Sequence, residues 1–108
     1  TPELAVYAAS KGALQTLTKN AANAHLADHI RVNGINLGWV DTQTERELHE
    51  MTLGKGEGWL AGEASKQPLG RLVSEEDAAR LATYLLSDAS SPMTGVSLDL
   101  EQHVVGSP

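Results

Sequence analysis

The sequence predicts an α/β fold built on a parallel sheet. Two observations carry the prediction: an alanine-rich helical stretch from about Leu4 to about Asp28 runs straight into a short apolar stretch ending at Leu37, and a second amphipathic stretch beginning at Ser74 is followed by the alternating run Val96-Ser97-Leu98-Asp99-Leu100. A helix feeding a strand, twice in order, favours strands that lie parallel with helices covering the sheet, joined by a right-handed crossover. A third observation, a glycine-bounded loop from Gly38 to Thr42 at the exit of the first strand, places a ligand-binding edge, because open α/β sheets bind ligands at the carboxyl ends of their strands.

The composition sets limits. The chain has 108 residues, enough for one small domain. Its hydrophobic content of 41% suits a globular chain. With no cysteine, disulfides and thiolate metal sites are excluded. A formal net charge of -6 disfavours nucleic acid or an anionic membrane as partner. No apolar run reaches membrane-spanning length, and a cytoplasmic location is the expectation. The chain opens at Thr1 with no initiator methionine, so a fragment of something longer is expected.

In the first helix, Pro2 and Glu3 suit the first turn. Val6, Leu17, Ala21 and Ala24 form an apolar stripe, expected to face the core. Ala9, Ala13 and Thr16 line the other side, where small residues let a second helix approach, so the helix is either sandwiched or at a subunit interface, the interface being the stronger reading. Tyr7 and Lys11 flank the stripe four residues apart, so they are neighbours on the helix surface. An ammonium held near a phenol favours the phenolate, and such a pair can pass a proton to or from a hydroxyl. His25 and His29, also four apart, are either a two-histidine metal face or residues that complement the helix dipole. No third ligand is in view, and the dipole role is the stronger reading.

Val32, Ile35 and Leu37 read as a short buried strand. Thr42 and Glu45 match a capping box, so a short helix is expected from about Gln43, with N–H groups suited to a phosphate. Gly54 to Gly62 carries Trp59 and Leu60 among glycines and reads either as a lid over a substrate pocket or as an ordinary surface loop. Gln67 to Leu72 is a tight turn. Ser74 and Asp77 cap the next helix, where Ala78, Leu81, Ala82 and Leu85 keep helical spacing up to about Ser87. Ser90 to Gly95 is a turn-rich link, and Glu101 to Pro108 is polar and expected to fray.

Five segments in this order resemble the C-terminal part of the short-chain dehydrogenase/reductase family: Tyr7-Ala8-Ala9-Ser10-Lys11, Ile30 to Asn36, Gly38-Trp39-Val40-Asp41-Thr42, Pro68-Leu69-Gly70-Arg71 followed by Glu75 to Ala79, and Thr94-Gly95. The resemblance implies the C-terminal part of a Rossmann-type doubly wound sheet in the order helix, strand, helix, lid, helix, strand. Residues 1–108 would be a single partial domain, with 43–67 as its substrate-loop region. It implies NAD or NADP as cofactor and hydride transfer between nicotinamide and a secondary alcohol or ketone. Tyr7 would be the acid/base. Lys11 would favour its phenolate and bond the nicotinamide ribose. Gly38 and Val40 would face the nicotinamide, and Thr42 would bond the cofactor. A homo-oligomer through the first helix is the implied assembly.

The sequence departs from the family pattern in three respects. The glycine-rich phosphate loop has no counterpart in these residues. The substrate-polarising serine of the family falls before Thr1, and Ser10, inside the helix, cannot replace it. Leu37 stands where proline is usual, and Leu100-Glu101-Gln102 stands where an acidic-glycine-glycine ending is usual. The expectation is an oxidoreductase segment that is inactive alone. The alternative is a non-catalytic remnant that acts as an oligomerisation or interaction module.

Overall fold

The computed structural model describes residues 2–38, 40–41, 62 and 64–104. Among them, helix α1 spans Pro2–Ala24, strand β1 Gly34–Leu37, strand β2 Val40–Asp41, strand β3 Val73–Ser74, helix α2 Glu75–Leu86 and strand β4 Ser97–Leu100, with a 3-10 turn at Asp88–Ser90. β1 pairs with β4, and β2 pairs with β3. The Gly34 N–H donates to the Val96 carbonyl and the Gly38 N–H to the Leu100 carbonyl, each at 2.8 Å. The two chains advance together, which is the parallel register expected. β2 and β3 are also parallel, Val40 opposite Val73 and Asp41 opposite Ser74. That second pair differs from the expected loop and turn; strands of two residues are too short for alternation to reveal them. The predicted helix from Gln43 and the Gly54–Gly62 segment lie outside the described residues, apart from Gly62.

Two compact units divide the chain: Thr1–Ile35 with Tyr84–Leu98, and Asn36–Thr83 with Asp99–Pro108. In the first, α1 ends at Ala24, four residues earlier than its composition predicts. Beyond Ala24 the backbone tightens, with the Leu26 and Asp28 N–H groups donating to carbonyls three residues back, and a C-terminal cap follows. The Ile30 N–H reaches the His25 carbonyl at 3.3 Å and the His29 N–H reaches the Leu26 carbonyl at 3.2 Å. These are the two bonds of a Schellman motif, with His29 in its left-handed position at φ 60°. His25 Nδ1 pairs with Asp28 Oδ2 at 3.0 Å on the surface. Neither histidine belongs to a cluster of three or more His, Cys, Asp or Glu among the described residues.

The buried face of α1 also differs from the expected stripe. Val6 and Leu17 are 72% and 61% exposed, whereas Thr18 and Ala22 are buried. Thr18 returns its hydroxyl to the Leu14 carbonyl at 2.8 Å, which satisfies it inside the packing. Ala22 lies against Gly95, where an added Cβ would sit 3.5 Å from the Ala22 methyl. Gly95 also has φ +72°, a backbone state that glycine adopts without penalty. Small residues win these positions because the backbones approach closely, a requirement that hydrophobicity does not report.

Arg31 is the hub of this unit. One Nη1 donates to Ser90 Oγ at 2.6 Å and to the Met93 carbonyl at 3.1 Å; Nη2 donates to the Ser87 carbonyl at 2.7 Å. Asn33 uses both ends of its amide, Nδ2 to the Met93 carbonyl and Oδ1 from the Val96 N–H. Val32 N–H donates to Thr94 Oγ1 at 3.1 Å. The Arg31 and Asn33 side chains and the Val32 backbone therefore hold the loop before β4, and the strand proper starts only at Gly34.

In the second unit, the Ser74–Asp77 cap forms as predicted. Asp77 N–H donates to Ser74 Oγ at 3.0 Å and Ser74 N–H to Asp77 Oδ2 at 2.9 Å. α2 then follows its predicted pattern, with Ala78, Leu81 and Ala82 half-buried in this unit and Leu85, where the helix has entered the first unit, buried. Leu72 and Val73 are buried beside the cap. Leu37, expected inside, is 52% exposed.

Candidate functional site

Tyr7 and Lys11 come together on α1. The Lys11 Nζ stands over the Tyr7 ring, 5.4 Å from its centroid. This is cation–π geometry, contributing about 0.5–1 kcal/mol at an exposed position. Tyr7 is 61% exposed and Lys11 is exposed too. The expected position flanking a buried stripe is therefore corrected. Steps of four, seven and four residues place Tyr7, Lys11, Thr18 and Ala22 on one helix face. The C-terminal end of that face is buried at Thr18 and Ala22, and the N-terminal end presents the phenol and ammonium outward. Ser10 donates its hydroxyl to the Tyr7 carbonyl at 2.7 Å and is engaged in the helix.

Gly38 and Val40 belong to the second unit. Gly38 follows β1, with its N–H fixed on the Leu100 carbonyl. An added Cβ there would meet the Glu101 carboxylate, which would have to move aside. Val40 opens β2, and its backbone is tied to β3 through Val73. Thr42 lies outside the described residues.

Sequence reasoning did not find the role of the unusual ending Glu101-Gln102. The Leu69 N–H donates to Gln102 Oε1 at 2.8 Å, and Gln102 Nε2 donates to the Arg71 carbonyl at 2.6 Å. One carboxamide thus grips both sides of the Pro68–Arg71 turn. The substitution of glycine by a hydrogen-bonding residue was the visible signal; its distant partner was not. Beside this turn, Arg71 Nη1 meets Asp77 Oδ2 at 2.7 Å and Arg80 Nη2 meets Asp77 Oδ1 at 2.6 Å. The Arg71 guanidinium, then the Ser74 amide, hold the Asp77 carboxyl well below the usual carboxylate range, and Asp77 in turn raises Arg71.

A family profile described as Enoyl-(Acyl carrier protein) reductase matches residues 1–101. The cis-4-hydroxycyclohexanecarboxylate dehydrogenase of Sinomonas cyclohexanicum is 34% identical over 95 residues, 88% of this chain and 35% of that protein. A short-chain type dehydrogenase/reductase from Mycobacterium ulcerans superposes with a TM-score of 0.69 at 32% identity, over 87% of this chain and 32% of its own. The L-sorbose reductase of Gluconobacter frateurii, solved with NADPH and L-sorbose, gives a TM-score of 0.77 at 28% identity, over 95% of this chain and 41% of its own. The chain spans about a third of the length of the curated relatives it matches.

Proposed function

The chain belongs to the short-chain dehydrogenase/reductase family, and on that premise we propose that it supplies the proton-transfer side of an NAD- or NADP-dependent oxidoreductase acting on a secondary alcohol or ketone. The observation that carries the reading is the exposed Tyr7–Lys11 pair, with the ammonium 5.4 Å from the ring centre. A hydroxyl and a cation projecting from one helix face suit the ribose and reacting carbonyl of a nicotinamide complex. At Gly38 the N–H is held by the Leu100 carbonyl and the Glu101 carboxylate lies where a Cβ would stand, so the fit to the group rests on Tyr7 and Lys11.

When bound, the nicotinamide would supply or accept the hydride. Tyr7 would hand its phenolic proton to the carbonyl oxygen in reduction and take the alcohol proton in oxidation. Lys11 would hold the ribose hydroxyls. Gly38 and Val40 would line the nicotinamide side, and Thr42 would bond the cofactor. Residues 1–108 act in this reading as one C-terminal catalytic-side segment, with 43–67 on the substrate side. The Sinomonas relative, by its name, acts on a ring hydroxyl, which is the substrate class proposed.

A second reading is favoured by the exposed apolar face of α1, where Val6, Leu14 and Leu17 are open. Such a face suits a second copy of the chain. No described helix is long and apolar enough to cross a membrane.

The test supplies an N-terminal segment of a family member in trans and follows NADPH fluorescence and oxidation with a ketone panel. Saturable binding and turnover that Tyr7→Phe abolishes, with binding retained, supports the oxidoreductase. Assembly through α1 with no nicotinamide binding supports the interaction module. Turnover indifferent to Tyr7→Phe overturns the assigned role.

A further inference from the structure

The first unit contains a cavity of about 350 Å³ between the segment that caps α1 and the loop before β4, within the size range of small-molecule sites. Leu26, Ile30 and Pro92 give it apolar walls, and Arg31, Asp88 and Thr94 bring polar groups to it. Its two formal charges are opposite, and neither is paired. The Arg31 guanidinium spends three of its five N–H groups on neutral acceptors, Ser90 Oγ and the Met93 and Ser87 carbonyls. Those bonds fix its position and leave its charge uncancelled. Asp88 gives its backbone carbonyl to the Ser91 N–H at 3.0 Å; its side chain is exposed and forms no ion pair or hydrogen bond among the described residues. Thr94 Oγ1 accepts the Val32 N–H at 3.1 Å and keeps its own proton to donate. His29 also lines the cavity, whereas Asp28, tied to His25, does not.

We propose that this cavity binds a small zwitterion with an apolar body, an amino acid of about leucine's size. Its carboxylate meets the Arg31 guanidinium and the Thr94 hydroxyl, its ammonium faces Asp88, and its side chain lies along Leu26, Ile30 and Pro92. A guanidinium with unspent N–H groups matches a carboxylate, and the apolar walls give the side chain somewhere to leave water. A ligand with one charge answers one of the two protein charges and leaves the other unpaired; a zwitterion answers both. α1 has no basic residue in its last turn, so the negative end of its dipole adds to the preference for an ammonium here. The site uses neither Tyr7 nor Lys11 and requires no nicotinamide, so its failure leaves the oxidoreductase reading untouched.

The test is an amide-resolved NMR titration of the protein with L-leucine, with 4-methylpentanoate, which lacks the ammonium, and with 3-methylbutylamine, which lacks the carboxylate. Leucine is expected to saturate with shifts at Ile30, Arg31 and Thr94. Each truncated probe should bind about fivefold more weakly, the scale of one exposed charge pair. Asp88→Asn should weaken leucine about fivefold and leave 4-methylpentanoate no weaker, because the charge removed faces only the ammonium; should that variant fail to fold, the ranking of the three probes on the unaltered protein decides. Absence of saturation, shifts located elsewhere, leucine bound no better than either truncated probe, or leucine indifferent to Asp88→Asn overturns the proposal.

Discussion

Ser74 and Asp77 cap each other: the Asp77 N–H donates to Ser74 Oγ, and the Ser74 N–H donates to Asp77 Oδ2. Both bonds satisfy amide groups that the first turn of α2 leaves without helical partners. Ser74→Ala is expected to lower stability by about 1 kcal/mol, read from urea midpoints.

Asp77 adds a pH signature. Its carboxyl is held below the usual range in the folded chain by Arg71 and by the Ser74 amide. A lowered folded-state pKa contributes stability that is complete above the unfolded value and is lost as pH falls through the folded one. The stability difference between the wild type and Asp77→Asn should therefore be constant from neutral pH to about pH 4 and shrink only below it. A difference that falls away between pH 7 and pH 5 would contradict this account.

These elements mark what the sequence discloses. The Ser-x-x-Asp spacing, the run Ala78, Leu81, Ala82, Leu85 and the parallel pairing of the outer strands follow from short-range patterns, and all three stand in the structure. The buried face of α1 was misread because Val6 and Leu17 are more hydrophobic than Thr18 and Ala22, yet close approach to Gly95 requires small side chains. The work of Arg31 and Asn33 is not legible in the sequence, because it depends on partners far along the chain. The Tyr7–Lys11 proximity was legible from its four-residue interval, and its exposure was not.

His29 offers a separate test. It occupies the left-handed position of the Schellman cap at φ 60°. His29→Gly should stabilise the chain by about 0.5–1 kcal/mol, whereas β-branched His29→Val should destabilise it by about 1–2 kcal/mol. Thermal melts of the two variants against the wild type decide the sign.

Gln102→Gly removes both side-chain bonds to the Pro68–Arg71 turn. The Leu69 amide should then exchange with solvent up to about tenfold faster, the value of one modest hydrogen bond. Amides within α2 should keep their rates. Hydrogen exchange followed residue by residue makes the comparison.

Tyr7→Phe and Lys11→Met bear on the proposed chemistry. Both side chains are exposed, so helix content by circular dichroism should not change. In an assembled enzyme each should cost about 10²- to 10⁴-fold in turnover, with nicotinamide binding kept in Tyr7→Phe. The chain by itself should show no measurable NADPH oxidation with ketones.

The Arg31 guanidinium joins residues 56, 59 and 62 positions away. A growing polypeptide exposes α1 and β1 long before Ser87, Ser90 and Met93 leave the ribosome, and contacts of such wide separation form late. Arg31, synthesised with the segment after α1, thus waits for the loop before β4. A nascent chain stalled before residue 87 would hold Arg31 without its acceptors and would be open to proteases and holding chaperones until synthesis resumes.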